Sequence, residues 1–190
     1  CTDKETNDYF KYCIGEFTPE KIATETTIDN FPFEYVNEDD LLPYENGIPI
    51  FDIKVAAGSF SDFQEANNFK WVKPPEFISI KKGLFIAQII GESMNKKIPN
   101  NSWGLFRYNP EGSREGKVVL VQHRNIQDPD NGGSFTIKRY HSEKIHALDT
   151  EWKHSKIILK PDSFNSYYQD IVLNEDESSE LKVIGEFVSI

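Results

Sequence analysis

Ser93 is the side chain whose surroundings best suit nucleophilic chemistry. It lies in "IIGESMNKKIP", where an apolar run ends at Gly91. A strand that ends in a glycine turn raises the next side chains out of the sheet. It also leaves backbone N–H groups that can point at an oxyanion. On its own the G-x-S pattern is weak evidence, because most such serines cap a turn.

A nucleophilic serine needs a base, and lysine is the best remaining candidate. The four histidines, at positions 123, 141, 146 and 154, form no triad-like pattern, and metal-ligand spacing and cofactor motifs are absent. A lysine can act as the base in Ser-Lys variants of the serine machinery. Lys96 completes an S-x-x-K pattern with Ser93, but that pattern requires a helix. The β-like run before it and Pro99 after it argue against a helix.

Lys138 is the second candidate base. In "SFTIKRYH" a period of two places Thr136, Lys138 and Tyr140 on one face of a strand. A lysine between a hydroxyl and an aromatic ring can be partly buried and held by hydrogen bonds. The usual alternative for a strand lysine is a solvated edge.

The stretch "VAAGSF", residues 55–60, is unusual for its small side chains. It can be a strand that runs into a turn. It can also be a segment whose backbone approaches a nucleophile closely, because Ala57 and Gly58 present little bulk.

The elements that would position these residues are short β-like runs from Ile48 onward. "KVVLVQHR" and "SFTIKRYH" are joined by "NIQDPDNGGS", which predicts an antiparallel hairpin with a long tip. "LKVIGEFVSI" closes the chain as a predicted edge strand suited to pairing, with Gly185 as a candidate bulge. Residues 1–47 are acidic and turn-rich, with one short helix predicted at "TPEKIATE".

Composition bounds the classes of function. The net charge is −10, so direct nucleic-acid binding by this chain is not expected. Hydrophobic residues make up 38%, which favours a folded domain, and no apolar run is long enough to span a membrane. Cys1 and Cys13 do not suggest a disulfide framework, so we expect free thiols in a cytoplasmic protein.

Four ordered motifs together resemble the peptidase domain of the LexA/UmuD group, the S24 serine peptidases. They are "FIAQIIGESM", "FTIKRY", "IILKPDSFNSYY" and "LKVIGEFV". The resemblance covers residues 48–190 and implies a mostly β fold of the β-clip type, with short strands and hairpins. Residues 1–47 would form a small irregular segment before it.

The resemblance implies a self-cleaving peptidase with Ser93 as nucleophile and Lys138 as general base. Ala57–Gly58 would be the bond cut in cis, and the backbone N–H groups of Ser93 and Met94 would bind the oxyanion. A lysine of ordinary pKa is neutral in only about one molecule in 2,500 at pH 7, so it must be desolvated to act as a base. Thr136 would orient its amine.

The resemblance also implies partners: a second copy of the chain, and a RecA–single-stranded-DNA filament that stimulates the cut in an SOS or phage-type response. No cofactor, metal or membrane contact is expected. Signal peptidases share a Ser-Lys dyad, but they are membrane-anchored and would leave "VAAGSF" unexplained. A catalytically silent dimerisation module with the same fold is the main alternative.

Three features depart from the usual family pattern. "IPNNSWGLFR" lacks the Gly-Asp pair that commonly follows the serine motif. The spacing from Ser93 to Lys138 is longer than usual, which a loop insertion at "NIQDPDNGGS" would explain. No helix-turn-helix pattern is visible in residues 1–47, which argues against a repressor that binds DNA itself.

Overall fold

The computed structural model describes residues 32–51, 70–76, 78–130, 133–146 and 152–190, with backbone only at 144–146 and 152–154. Apart from Pro32 these residues belong to one compact unit, Phe33–Ile190. The short helix predicted at "TPEKIATE" and the Ala57–Gly58 bond lie outside the described residues.

Nine strands form the architecture of the described unit. In chain order they are β1 (Ile48–Phe51), β2 (Lys70–Val72), β3 (Leu84–Ile89), β4 (Ser102–Tyr108), β5 (Val118–Gln122), β6 (Phe135–His146), β7 (Trp152–Lys160), β8 (Ile171–Asn174) and β9 (Lys182–Ser189). They join in one sheet of order β2-β1-β3-β4-β9-β5-β6-β7-β8. The described helices are a 3-10 turn, Glu38–Asp40, and α1, Glu175–Ser178. The predicted mostly β fold is therefore confirmed.

Strands β5 and β6 form the predicted antiparallel hairpin. Their register places Val119 opposite Lys138 and Val121 opposite Thr136. Residues directly opposite each other share a face of the sheet. The hairpin therefore places Thr136 and Lys138 on the face of β5 that carries Val119 and Val121.

Strand β5 is buried on both faces, which explains its continuous apolar run "VVLV". Val118 and Leu120 pack in one core cluster, and Val119 and Val121 pack in another. Alternate residues of a strand point to opposite faces, so the two clusters lie on either side of β5. A hairpin supported from both sides is a rigid base for residues at its tip and along β6.

Strand β9 was expected at a sheet edge, and this expectation is wrong. It pairs with both β4 and β5 and lies in the middle of the sheet. Its pairing with β4 extends over Gly185–Ser189 and its pairing with β5 over Lys182–Glu186. Strand β9 is therefore an inner strand of the sheet and not an edge strand.

The predicted bulge lies directly beside Gly185. Gly185 is in register with Leu120, and the next pair is Val121 with Val183, so the extra residue is its neighbour Ile184. The glycine is required by packing. A Cβ on Gly185 would lie 2.9 Å from Cζ of Phe85, closer than real side chains approach.

The described part of the acidic segment contacts the sheet. Tyr35 forms a bridge with Val72, and the N–H of Val36 donates to the carbonyl of Trp71 at 2.9 Å. The predicted division of the chain at residue 47 stays a prediction. Among the described residues, no helix is long and apolar enough to cross a membrane.

Candidate active site

Gly91 shapes the turn that carries Ser93. Its φ is +111°, in the region that favours glycine, and a Cβ there would overlap the carboxylate of Asp130. The N–H of Gly91 donates to Oδ1 of Asn100 at 2.8 Å. Asn100 belongs to the stretch that lacks the family's usual Gly-Asp pair. The chain therefore leaves β3 sharply, and Ser93 follows this turn.

A second turn, between β7 and β8, holds the serine segment from the other side. The N–H of Asp162 donates to the carbonyl of Ser93 at 2.8 Å, and the N–H of Lys96 donates to the carbonyl of Asp162 at 3.0 Å. A guanidinium nitrogen of Arg139 lies 2.9 Å from Oδ2 of Asp162. These bonds give the "KPDS" part of the third motif a structural role beside Ser93.

The structure brings Ser93 and Lys138 together. Nζ of Lys138 lies 2.8 Å from Oγ of Ser93. It also lies 2.6 Å from Oγ1 of Thr136 and 3.1 Å from the carbonyl oxygen of Ile137. The exposed fraction is 2% for Lys138 and 7% for Ser93. The amine is therefore held by three oxygen atoms in a nearly dry environment.

Burial is the main influence on the Lys138 amine. It lowers the pKa of Lys138 below the ordinary lysine value, because the charged form loses its hydration. The carboxylates of Asp128 and Asp130 act in the opposite direction and partly restore the pKa of the amine. The lowered pKa is the direction that a general base requires.

Asp128 is a site residue that the sequence did not reveal. Oγ1 of Thr136 donates to its Oδ2 at 2.6 Å, and the same oxygen lies 3.7 Å from Nζ of Lys138. Asp128 is 5% exposed. In the sequence it is one carboxylate in a tip rich in turn formers. The one feature of the sequence that could have pointed to Asp128 is that this tip leads directly into the strand of Thr136 and Lys138.

Asp130 and Tyr168 fix the hairpin tip beside the serine turn. The hydroxyl of Tyr168 donates to Oδ1 of Asp130 at 2.7 Å. Burial and this carboxylate raise the pKa of Tyr168 to about 12, so the hydroxyl keeps its proton. The N–H of Asp130 donates in turn to Oδ1 of Asp128 at 3.0 Å. The two carboxylates are thus held in a defined arrangement.

A cleft opens next to Ser93. Its volume is about 480 Å³, including space open to solvent, and its walls include Gln88, Gly91, Ser93, Leu120, Phe135 and Thr136. Among the described residues, the N–H groups of Ser93 and Met94 donate to no backbone carbonyl. Both residues line the cleft, which is where the donors of an oxyanion site would be needed.

Among the described side chains, the other candidate bases contact groups other than Ser93. Lys96 is exposed and its Nζ lies 5.6 Å from the ring centre of Phe164. His123 is buried with its Nε2 3.0 Å from the carbonyl of Glu177, and Nδ1 of His141 lies 2.6 Å from Oε1 of Glu115. The side chains of His146 and His154 are outside the described set. No group of metal-ligating residues occurs in the described part of the chain.

Comparison with known proteins adds an independent finding to this geometry. The chain matches no curated protein closely enough to identify a relative. Residues 49–188 match the sequence model of a family described as Peptidase S24-like. This match begins within β1, ends within β9, and includes the serine turn and the β5–β6 hairpin. Since it extends over most of the 190 residues, the chain belongs to the S24-like peptidase family.

Proposed function

We propose that this chain is a self-cleaving serine peptidase that hydrolyses its own Ala57–Gly58 bond. The observation that carries the proposal is the 2.8 Å distance from Nζ of Lys138 to Oγ of Ser93, with a buried amine. A lysine in this position is desolvated and directed at a hydroxyl, as the base of a Ser-Lys dyad must be.

The proposed chemistry follows the usual two steps of acyl transfer. Neutral Lys138 takes the Oγ proton as Ser93 attacks the carbonyl carbon of Ala57, and the N–H groups of Ser93 and Met94 bind the resulting oxyanion. The protonated amine then gives its proton to the leaving nitrogen of Gly58, which breaks the peptide bond. Water, deprotonated by Lys138, hydrolyses the Ser93 ester and releases the Ala57 carboxylate.

The proposed use of the cut is regulatory. It would divide the chain into residues 1–57 and 58–190 and so separate the acidic segment from the peptidase domain. A RecA–single-stranded-DNA filament as trigger and a second copy of the chain as partner are proposals that rest on the family resemblance.

The test is the intact mass of the chain after incubation over a range of alkaline pH. Wild type should give two fragments, one ending at Ala57 and one starting at Gly58, and Ser93→Ala should give none. The rate should rise with pH, because more of Lys138 is neutral as its pKa is approached. Ser166→Ala is the matched control, since Ser166 is an exposed serine in a turn.

Three results would count against the proposal. Fragments from Ser93→Ala would exclude Ser93 as the nucleophile, and a cut at another bond would exclude Ala57–Gly58. A wild-type chain that stays intact at every pH, with and without the RecA filament, would favour the silent module instead.

A further inference from the structure

Four of the five buried polar or charged residues in the described part of the chain form one connected series of contacts. Their order along these contacts is Ser93, Lys138, Thr136, Asp128, and both ends of the series line the cleft. Buried polar groups are costly unless they are paired, so their concentration at one place marks a functional arrangement. Asp128 ends this series and has no part in the proposed acyl transfer.

The hydrogen bonds determine which group the Thr136 hydroxyl donates to and which group it accepts from. Its single hydroxyl proton is donated to Oδ2 of Asp128 at 2.6 Å. Its oxygen therefore has only lone pairs to offer Lys138, whose Nζ lies 2.6 Å away. The amine donates one N–H to Thr136 and one to the carbonyl of Ile137. When Lys138 is neutral, this arrangement directs its lone pair to Ser93.

The negative charge of Asp128 also affects the protonation of the Lys138 amine. Its Oδ2 is 3.7 Å from Nζ of Lys138, and both side chains are almost fully buried. A carboxylate this close stabilises the ammonium form of a lysine. Among the described residues, Asp130 also acts on the amine, and Tyr168 and Glu92 are the titratable groups beside Asp130. Of these, Asp130 acts on the amine in the same direction as Asp128.

We propose that Asp128 is a positioning residue that controls self-cleavage in two opposing ways: it orients Thr136 toward Lys138, and its negative charge, 3.7 Å from the amine, favours the protonated form. The chain would thus carry its own restraint on cleavage in the β5–β6 tip. This inference rests on the proposed function, because it concerns the activity of the same dyad.

The two effects can be separated by two substitutions. Asp128→Asn removes the negative charge and keeps an oxygen that accepts the Thr136 proton. We expect the midpoint of the pH–rate profile to move down by about one pH unit or more, with a maximal rate higher than that of Asp128→Ala. On the rising part of the profile this is a gain of about tenfold in rate. Asp128→Ala should move the midpoint in the same direction and also lower the maximal rate.

Two further variants make the comparison specific. Asp39→Asn removes an equal charge from an exposed residue of the 3-10 turn and should leave the profile unchanged. Asp130→Asn keeps an acceptor for Tyr168 and should move the midpoint down less than Asp128→Asn. It also provides a second test of the charge effect if Asp128→Asn does not fold.

A measurement without activity distinguishes this inference from the proposed function. In the Ser93→Ala chain, the side-chain NMR signals of isotope-labelled Lys138 report its titration directly, and Lys138→Met identifies them. Adding Asp128→Asn should lower the measured pKa of Lys138 even if wild type never cleaves. An unchanged or raised pKa, or an unchanged midpoint in the cleavage assay, would overturn the charge effect. Equal maximal rates for Asp128→Asn and Asp128→Ala would overturn the positioning effect.

Discussion

At the scale of single residues, the candidate site is centred on the buried Lys138, whose pKa is subject to two opposing influences. Burial lowers the pKa of Lys138, and the carboxylates of Asp128 and Asp130 oppose that change. Thr136 lies between the amine and Asp128, with 2.6 Å contacts to each. Thr136 therefore links the position of the Lys138 amine to the hairpin tip that contains Asp128.

Replacing Thr136 by valine tests this dependence. Valine has a similar shape but offers no oxygen to Lys138 and no proton to Asp128. A buried hydrogen bond left unmade costs about 1–3 kcal/mol, so the rate of self-cleavage should fall by about fivefold or more. Thr136→Ser keeps the hydroxyl and is the matched control. The rate of fragment formation, measured by intact mass at a fixed alkaline pH, should distinguish the two variants. Equal rates would show that the hydroxyl is not needed.

At the scale of elements, the central position of β9 organises the sheet. It joins β4, which pairs with the strand leading to Ser93, to β5, which pairs with the strand carrying Lys138. Phe85, Phe106 and Phe187 pack in a row across this region, with ring centres 5.4 Å and 5.7 Å apart. Gly185 leaves the space that the Phe85 ring fills.

We expect Gly185→Ala to destabilise the fold. Its Cβ would lie 2.9 Å from Phe85 and 3.2 Å from the carbonyl oxygen of Arg107. Overpacking of this kind costs about 1–3 kcal/mol of unfolding free energy. Urea unfolding measures the loss. The control is the same change in a Phe85→Leu chain, where a smaller side chain should reduce the added cost of the alanine. Strictly additive losses would mean that the Phe85 ring is not the cause.

At the scale of the whole molecule, the chain has a net charge of −10 and a lysine buried at its candidate active site. A buried lysine with a lowered pKa destabilises the folded state at every pH at which its amine is charged in that state. Between the folded pKa and the ordinary value of 10.5, the unfolded chain binds more protons than the folded chain. The penalty is therefore present at low pH and is relieved as the pH rises through this interval.

This linkage predicts a pH-dependent stability difference. In the Ser93→Ala background, the chain with Lys138 should gain unfolding free energy relative to Lys138→Met as the pH rises toward 10.5. The gain should approach about 1.4 kcal/mol for each pH unit between the two pKa values. Chemical denaturation at several alkaline pH values measures the difference, and other titrating groups contribute equally to both chains. A difference that is constant with pH would show that the pKa of Lys138 is not lowered.

Local sequence determined the elements and the residue types of the site. Strand periodicity predicted the faces of β6, turn formers predicted the β5–β6 hairpin, and the apolar run before Gly91 predicted the strand that leads to Ser93. These features depend on neighbours along the chain, so they are visible without a structure. The resemblance carried by four motifs added the family, which the match over residues 49–188 confirms.

Only the tertiary structure decided where β9 lies and what the hairpin tip contributes. Its local sequence predicted that the last strand lies at a sheet edge. That prediction failed because the strands that pair with it are distant in the chain and leave no local pattern in its sequence. Asp128 reads as a solvated turn residue, and its burial against Thr136 and Lys138 depends on how the tip folds back. The contact of Asp162 with the Ser93 segment is likewise long-range. Sequence specified the groups available for chemistry, and long-range packing set the distances and the burial on which their pKa values depend.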